Sequence, residues 1–324
     1  MAPWRAGNEY LQLHAERMDE LRGIHGWSES GGVPPPLAVV YASTMIAPLR
    51  RIYSWALPEA RSLALIAEHS PRGVVEVGAG TGYWAAQLRK MNLPVAAFDL
   101  HPTDGPDQNG HHVVALKSSA SEKANAPPFT YVAQGGAEVA SKFPERTLLL
   151  CWPPCEEPSV PPHVSSMAHD ALQHFSGNTV VYVGELSAHQ GSTAGGNFHS
   201  VLYKDWDLQK TVTIPQWPNA TDTVSVWLRR NGKDISAPLA RNQDYLGKFH
   251  GQLDSESQAA GAGVRQQMLS AYEEIWQQTA IAHMMARVQA GGDGARAGTE
   301  KTVLEAVAKK SSFLKRMMLR VLRA

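Results

Sequence analysis

Short apolar runs alternate with amphipathic segments along residues 53–231. Strands alternating with helices are typical of a parallel sheet that is covered on both faces. The last two runs, DLQKTVTI and TVSVWLRR, are joined by eight residues, PQWPNATD, which is too short for a crossover connection. The pattern therefore predicts a mostly parallel α/β sheet that ends in an antiparallel hairpin. The other predicted strands are VVEV, VAAFDL, FTYVAQ, TLLLCW and TVVYVGEL.

The segments on either side of this region have a helical pattern. Residues 8–22 place Leu11, Met18 and Leu21 on one stripe, and GGVPPP at 31–36 then breaks the chain. Residues 232–298 lose the strand pattern and contain one predicted helix at 265–288, followed by the linker AGGDGARAG. We therefore expect a helical extension at 1–52, a central domain at 53–231 and a mostly helical or flexible extension at 232–324.

The composition is that of a globular protein, with 43% hydrophobic and 19% charged residues among 324. Thirty basic residues balance thirty acidic ones, so no long-range field draws the whole molecule to nucleic acid. The N-terminal segment has no export signal, no apolar run approaches the ~20 residues of a membrane span, and two cysteines fit a reducing compartment. We expect a cytoplasmic protein, with the nucleus left open, and no metal site, because the histidines form no metal-binding pair.

The segment EVGAGTG lies between a predicted strand and a predicted helix. Its glycines let the backbone turn tightly and approach a ligand closely. The spacing is G-x-G-x-G, whereas the dinucleotide fingerprint G-x-G-x-x-G needs glycine at position 83, which is Tyr83. Glu76 precedes the glycines, and Asp99 ends the next strand, where a carboxylate can accept both hydroxyls of a ribose.

These residues resemble the class I S-adenosylmethionine-dependent methyltransferases over roughly residues 53–231. The resemblance implies a Rossmann-like methyltransferase fold with a seven-stranded sheet and S-adenosyl-L-methionine as cofactor. It also implies that the segment YSWALP at 53–58 closes over the cofactor. The residues expected to bind the cofactor are Glu76, Gly78, Ala79, Gly80, Gly82, Trp84, Asp99, Gln134 and Gly135.

The stretch TLLLCWPPC ends the fourth predicted strand in two prolines, which cannot donate to a strand ladder. Its position corresponds to the loop that reads Asp/Asn-Pro-Pro-aromatic in methyltransferases acting on amino nitrogens. Here Trp152 replaces the Asp/Asn and Cys155 replaces the aromatic residue. Trp152 can cap a planar substrate, cap the cofactor or pack into the core. The sequence leaves these three open.

Methyl transfer depends chiefly on positioning the nucleophile, and a base is needed only when the acceptor must lose a proton early. The predicted catalytic residues are Trp152, Pro153 and Glu185, which ends the strand TVVYVGEL. Other candidate bases, in falling order, are His189, Glu156 and Asp170. The carboxylate of Glu185 also suits a purely structural role, capping a backbone turn.

The sequence therefore predicts a methyltransferase acting on a small molecule or a protein side chain that it does not identify. The alternatives are a nucleic-acid amino-methyltransferase and a cofactor-binding scaffold without turnover. The tail KKSSFLKRMMLRVLRA carries basic residues without an acid and has one apolar helical face. Such a helix suits an anionic membrane surface, a protein partner or RNA, and it also suits packing on its own domain.

Overall fold

The structure is a computed structural model, and it describes residues 8–29, 32–116, 122–155, 166–186, 193–230 and 253–289. The described α-helices are α1 (Glu9–Arg22), α2 (Pro36–Tyr41), α3 (Ala47–Ile52), α4 (Ala60–Glu68), α5 (Tyr83–Lys90), α6 (Met167–His174), α7 (Gly195–Asp205) and α8 (Ser255–Gln289). A π-helical segment, Ala42–Ile46, joins α2 to α3. A 3-10 helix covers Ala137–Lys142.

Seven strands form the main sheet. These strands are β1 (Val74–Val77), β2 (Val95–Asp99), β5 (Ala133–Gln134), β6 (Thr147–Cys151), β7 (Thr179–Gly184), β8 (Trp206–Thr213) and β9 (Thr223–Arg229). Their order across the sheet is β5-β2-β1-β6-β7-β9-β8. Neighbouring strands are parallel from β5 to β7, whereas β9 runs antiparallel to both β7 and β8. The predicted mostly parallel sheet with a terminal antiparallel hairpin is confirmed.

Helices and loops cover both faces of this sheet, because alternate residues of each central strand enter different apolar clusters. In β6, Leu148 and Leu150 belong to one cluster and Leu149 to the other. The short apolar runs therefore lack a polar face, as expected for parallel strands buried on both sides. The chain order reverses between β1 and β6, and this reversal opens a crevice at the carboxyl ends of the strands.

Three parts of the predicted pattern differ from the structure. The strand predicted over FTYVAQ is reduced to two residues, Ala133–Gln134. A two-stranded sheet made of β3 (Val113–Ala115) and β4 (Lys123–Asn125) was not predicted. Helix α8 begins ten residues before the predicted start at 265 and includes Gly261 and Gly263. The predicted 290–298 linker and the basic tail lie outside the described residues.

The chain forms two compact units built from interleaved segments. One unit comprises the described parts of Met1–Leu11, Arg50–Val113 and Ala124–Arg265, and contains the seven-stranded sheet. The other comprises the described parts of Gln12–Leu49, Val114–Lys123 and Gln266–Ala324. The three-part division at 52 and 231 stays a prediction.

The second unit has a buried ionic centre on Arg17. Its guanidinium contacts Glu20 Oε2 at 2.9 Å and Glu273 Oε1 at 2.8 Å. Tyr41 donates its hydroxyl proton to Glu20, and its ring meets Trp276 edge to face. A buried guanidinium needs such partners because an unpaired buried charge is costly.

None of the described helices combines the length and the apolar character needed to cross a membrane.

Candidate functional site

A cavity of about 810 Å³ opens at the carboxyl ends of β1, β2 and β6. Most of the predicted site residues line it, namely Glu76, Gly78, Ala79, Gly80, Trp84, Asp99, Gly135, Trp152 and Pro153. Gly82, Gln134 and Glu185 are not among its lining residues. The site residues predicted from four separate strand ends, those of β1, β2, β5 and β6, thus meet at one crevice.

The glycine turn is held by its own amide groups. The N–H groups of Gly78 and Ala79 both donate to the carbonyl of Phe98, each at 2.9 Å. The N–H of Gly80 donates to Asp99 Oδ2 at 2.8 Å, and that of Gly82 donates to the carbonyl of Ala79 at 2.8 Å. These four donors are therefore engaged within the protein and do not form an open cradle for a phosphate group.

Two of the glycines are required by close neighbours as well as by backbone conformation. Gly80 has a φ of +56°, and a Cβ there would lie 2.2 Å from His112 Nε2. Gly82 has a φ of +70°, and a Cβ there would lie 2.8 Å from a methyl group of Val132. The absence of a side chain at Gly80 therefore lets the backbone contact His112 in the cavity wall. At Gly82 it lets the backbone pack against Val132.

Glu76 carries the most unusual carboxyl group of the cavity. Its residue is 1% exposed, and its Oε2 atom has no hydrogen-bond partner among the described residues. Burial raises its pKa to about 8, against the opposing effect of Arg89. A buried carboxyl with an unused oxygen and a raised pKa is characteristic of a ligand-binding position.

Asp99 ends β2 and organises the turn beside it. Its Oδ2 accepts from Gly80 N, and its Oδ1 accepts from His101 N at 3.0 Å and from Asn109 Nδ2 at 3.2 Å. Burial raises the pKa of this carboxyl, and the backbone hydrogen bonds oppose that rise. Asp99 therefore holds the glycine turn and the loop after β2 while it lines the cavity.

An aromatic cluster anchors the segment 53–58 behind the turn. Tyr53 is buried, and its ring stacks on Tyr10 at 4.7 Å and meets Tyr83 edge to face at 5.4 Å. The next two residues, Ser54 and Trp55, line the cavity. The segment thus reaches the cavity through Ser54 and Trp55, while Tyr53 is core.

Trp152 continues the ladder of β6 by one residue and then turns away. Its N–H donates to the carbonyl of Val183 at 2.7 Å, and its φ of +48° lies in the left-handed region. Pro153 follows, and its carbonyl accepts from Ala194 N at 2.9 Å. The prolines end the strand, and the turn directs the half-buried indole of Trp152 to the cavity wall.

The indole of Trp152 is fixed on two sides. Its Nε1 donates to Asp222 Oδ1 at 2.7 Å, and its ring stacks on Trp55 with centroids 5.1 Å apart. The guanidinium of Arg50 lies 4.8 Å from the Trp55 ring and 4.7 Å from the Trp152 ring. The only side-chain donor of Trp152 is therefore engaged, and the residue can offer the cavity only its apolar ring surface.

Asp222 is fully buried beneath this pair. Burial raises its pKa to about 6, and the hydrogen bond from Trp152 and the charge of Arg50 limit the rise. Cys151 lies on the same wall, and burial likewise raises the pKa of its thiol. The wall formed by Trp55, Cys151, Trp152 and Pro153 is thus apolar at its surface, with its charges held behind the rings.

The structure matches the architecture expected from the sequence. The sheet has the expected strand order and ends in an antiparallel hairpin, and Glu76, the glycine turn and Asp99 line one cavity at its carboxyl edge. The fold is that of the class I methyltransferases. Comparisons with protein-family models and with curated proteins gave no match.

Among solved structures, the chain is similar to a magnesium protoporphyrin IX methyltransferase from Synechocystis PCC 6803 with bound SAH. The identity is 12%, the TM-score is 0.32, and the match covers 67% of this chain and 96% of that chain. It is also similar to an rRNA methylase from Streptococcus thermophilus, with 15% identity, a TM-score of 0.31, and 54% and 99% coverage.

The remaining predicted residues lie in other settings. Gln134 is exposed at the end of β5. Glu185 accepts from Thr221 N at 3.0 Å and from Thr221 Oγ1 at 3.3 Å, so its carboxylate holds the loop before β9. Asp170 lines the cavity from α6. The candidate bases Glu156 and His189 lie outside the described residues.

Sequence reasoning missed several residues that build the site. Asp222, Arg50, Asn109 and His112 were not predicted, although Asn109 and His112 line the cavity and the other two hold Trp152. None of them belongs to a motif, and Asp222 is 70 residues from its partner Trp152. Only the polar, histidine-rich composition of NGHH at 109–112 offered a signal.

Proposed function

We propose that this chain binds S-adenosyl-L-methionine and transfers its methyl group to an acceptor molecule. The observation that supports this most directly is the buried Glu76 carboxyl, whose Oε2 has no partner among the described residues, in a residue that lines the same cavity as Asp99. A cationic ligand would pair with such a carboxyl and offset its burial. S-adenosylmethionine carries both a sulfonium and an ammonium group.

The glycine turn supports this cofactor against a dinucleotide. A pyrophosphate needs free backbone N–H groups at the start of the helix. Here the amides of Gly78, Ala79, Gly80 and Gly82 are engaged with other groups of the protein. An uncharged or cationic ligand does not require them.

The cofactor supplies an electrophilic methyl group on a sulfonium. Within the chain, Glu76 would hold the cationic end of the cofactor, and Asp99 would bind a ribose hydroxyl. Gly135, which follows β5, would border the adenine. Trp152 and Pro153 would shape the acceptor end of the cavity, where their rings exclude water and restrict the acceptor's orientation.

The proposed acceptor is a small molecule or a protein side chain whose reaction does not need Glu185 as a base. The only side-chain donor of Trp152 is taken by Asp222, and Glu185 is bound to Thr221 outside the cavity lining. A neutral amine fits this arrangement because it attacks before it loses a proton, and a thiolate fits because it has no proton left to lose.

A second candidate is a cofactor-binding scaffold without turnover. The feature that favours it is the replacement of Asp/Asn by Trp152, which has no acceptor atom for a target amino group. A scaffold would bind the cofactor with the same residues, so binding alone does not distinguish it from the enzyme.

Calorimetry tests the cofactor. We expect saturable binding of S-adenosylmethionine and S-adenosylhomocysteine, and no binding of NAD. Binding of the cationic ligand should release protons near pH 7, because an ionised Glu76 is then favoured, and titrations in buffers of different ionisation enthalpy measure this release. Glu76→Gln should abolish it. Saturable NAD binding without binding of either sulfur ligand would overturn the proposal.

A labelled-methyl transfer screen across metabolites, proteins and RNA tests turnover. Transfer to a small molecule or protein supports the leading proposal, and transfer to RNA supports the nucleic-acid alternative. Binding of the cofactor without transfer in any fraction would favour the scaffold.

A further inference from the structure

The cavity at the carboxyl ends of the strands has an unbalanced set of charged side chains. The described residues that line it include four acidic residues and no lysine or arginine. The acidic residues are Glu76, Asp99, Glu138 and Asp170. This excess contrasts with the equal numbers of acidic and basic residues in the whole chain. A charged ligand that enters the cavity therefore meets carboxyl groups and no permanent cation of the described lining.

Arg89 lowers the pKa of Glu76 but does not itself line the cavity. Its guanidinium donates to the carbonyl of Tyr131 at 3.0 Å and to that of Val95 at 2.8 Å. An anionic ligand would have to break these hydrogen bonds before it could use the same donors. Arg89 therefore does not offer a binding group for an anion in the cavity.

Arg50 lies beside the aromatic part of the cavity wall. Its guanidinium is 4.8 Å from the ring of Trp55 and 4.7 Å from that of Trp152, and Arg50 does not line the cavity. Asp222 and Glu185 both lie within electrostatic range of Arg50 and oppose its charge. The two indole rings thus already hold one organic cation by cation–π contact, and two acidic residues offset its charge.

The histidines of the described lining do not supply a fixed positive charge. His112 is 6% exposed, and burial lowers its pKa to about 4. The other histidines that line the cavity are His101, His111 and His174. A histidine ordinarily loses its charge near neutral pH, so measurements at pH 8 remove it as a source of permanent charge.

Two of the four carboxyl groups remain for an acceptor. The proposed function assigns Glu76 and Asp99 to the cofactor, which leaves Glu138 and Asp170. The backbone N–H groups of Glu138 itself and of Gly136 lower the pKa of Glu138, and Gly136 N donates to Glu138 Oε1 at 3.0 Å. Glu138 is therefore a carboxylate at neutral pH. Asp170 lies in the first turn of α6.

We propose that the methyl acceptor is an organic amine, which the cavity binds as its ammonium cation and which reacts as the free amine. This assignment rests on the proposed function. Carboxylates and aromatic rings are the groups that recognise an organic ammonium. A phosphate- or carboxylate-bearing acceptor, nucleic acid included, would need the lysine or arginine that the described lining lacks. The same carboxyl groups disfavour a thiolate.

The reaction of an amine balances in atoms and charge. The bound ammonium first gives one proton to water. The lone pair of the nitrogen then forms a bond to the methyl carbon while the carbon–sulfur bond breaks, and the electron pair of that bond stays on sulfur. The positive charge passes from sulfur to nitrogen, so the product is again an ammonium ion.

Three probes of similar shape and different charge test the acceptor class. Phenethylamine is cationic at pH 8, hydrocinnamamide is neutral and hydrocinnamate is anionic. Calorimetry measures their binding to the protein that is already saturated with S-adenosylhomocysteine. Phenethylamine should bind roughly tenfold more tightly than hydrocinnamamide, because a charge-assisted contact replaces a neutral one. Hydrocinnamate should bind more weakly than the amide.

Glu138→Gln and Asp170→Asn remove one carboxylate each and keep the size of the side chain. Glutamine also keeps the Oε1 acceptor for Gly136 N. Glu68→Gln is the matched control, because Glu68 is exposed and does not line the cavity. The cavity variants should lower the ratio of amine to amide affinity, whereas the control should leave it unchanged. Thermal unfolding shows which variants are folded, and one folded cavity variant is sufficient for the comparison.

Labelled-methyl transfer then distinguishes the sources of an amine. Small metabolites are separated by charge at pH 8 into cationic, neutral and anionic fractions. Proteins are assayed before and after acetylation of their amines, and RNA is assayed separately. We expect transfer to cationic metabolites, or to protein amines in a reaction that acetylation abolishes. Mass spectrometry should place the new methyl group on nitrogen.

Tighter binding of hydrocinnamate than of phenethylamine, or an amine-to-amide ratio that is unchanged in the folded cavity variants, would overturn the amine as acceptor. Transfer to RNA, to neutral or anionic metabolites or to acetylated protein would do the same. If none of the three probes binds, the transfer assay decides, and transfer to no fraction would overturn the acceptor class together with turnover. Failure to bind S-adenosylhomocysteine would instead overturn the proposed function.

Discussion

Trp152 Nε1 donates a 2.7 Å hydrogen bond to Asp222 Oδ1, and this bond joins the loop after β6 to the buried residue that precedes β9. It is the connection on which the apolar wall depends, because it fixes the indole while satisfying one oxygen of a buried carboxyl. The other oxygen of Asp222 has no hydrogen-bond partner among the described residues.

We expect Trp152→Phe to lower the free energy of unfolding by about 1–3 kcal/mol, because Asp222 loses its donor while buried. The loss should grow as the pH rises through about 6, where Asp222 ionises in the native protein. Urea unfolding at pH 5 and pH 8 measures both effects.

Trp55→Phe is the matched control, since Trp55 shares the stack but its buried Nε1 has no partner among the described residues. Equal losses for the two variants would show that the Trp152–Asp222 bond contributes no net stability.

Glu76→Gln should stabilise the ligand-free protein at neutral and alkaline pH. The native pKa of Glu76 is about 8, against an ordinary value of 4.5 for a glutamate in water, so the folded protein holds this proton more tightly than the unfolded chain does. The contribution is fully present below about pH 4.5 and is lost as the pH rises through 8. Between these values wild-type stability should fall relative to Glu76→Gln by about 1.4 kcal/mol per pH unit.

Urea unfolding of both proteins from pH 5 to pH 9 tests this. Glu138→Gln serves as the control, because Glu138 lines the same cavity while its pKa is lowered by backbone hydrogen bonds. Parallel profiles for the wild-type protein and Glu76→Gln would contradict the raised pKa.

Gly80→Ala should destabilise the turn. The φ of +56° alone costs a residue with a side chain about 1–2 kcal/mol, and the collision with His112 adds to this. Gly196→Ala in α7 is the control, because that glycine has open space around it and no positive φ. It should be neutral or stabilise the protein by up to about 1 kcal/mol. Thermal unfolding compares the two, and similar melting temperatures would contradict the close approach of His112.

Glu185→Gln should leave stability and the rate of methyl transfer unchanged once an acceptor is known. Glutamine keeps the Oε1 acceptor for the N–H of Thr221. A general base contributes about 10²–10⁴ to a rate, so a fall of that size with a changed pH profile would identify Glu185 as the base. Thr221→Val, which removes only the weaker 3.3 Å contact, controls for loop movement.

The sequence predicted the fold correctly where the residues that define neighbouring elements are adjacent along the chain. The run from β1 through the glycine turn to α5 was predicted because its apolar strand, its glycines and its helical stripe are adjacent in sequence. The hairpin of β8 and β9 followed from the length of its loop. The small β3–β4 pair was missed because strands of three residues carry too little pattern, and β5 is short because only Ala133 and Gln134 pair with β2.

The cavity was predicted only in part, because its walls combine distant segments. Strand ends locate Glu76 and Asp99, since parallel strands share one carboxyl edge. No rule of spacing connects Trp152 to Asp222, or Gly80 to His112, because those contacts depend on loops whose paths are set by packing.

The left-handed backbone conformation of Trp152 determines which other residues this position accepts readily. A bulky residue is disfavoured at a φ of +48°, whereas asparagine and aspartate adopt that region more readily. The Asp/Asn-Pro-Pro loops of the amino-methyltransferases carry one of those two residues at this position. Asparagine tolerates the main-chain conformation of residue 152 better than tryptophan does, so Trp152→Asn should be accepted without any rearrangement of the two prolines.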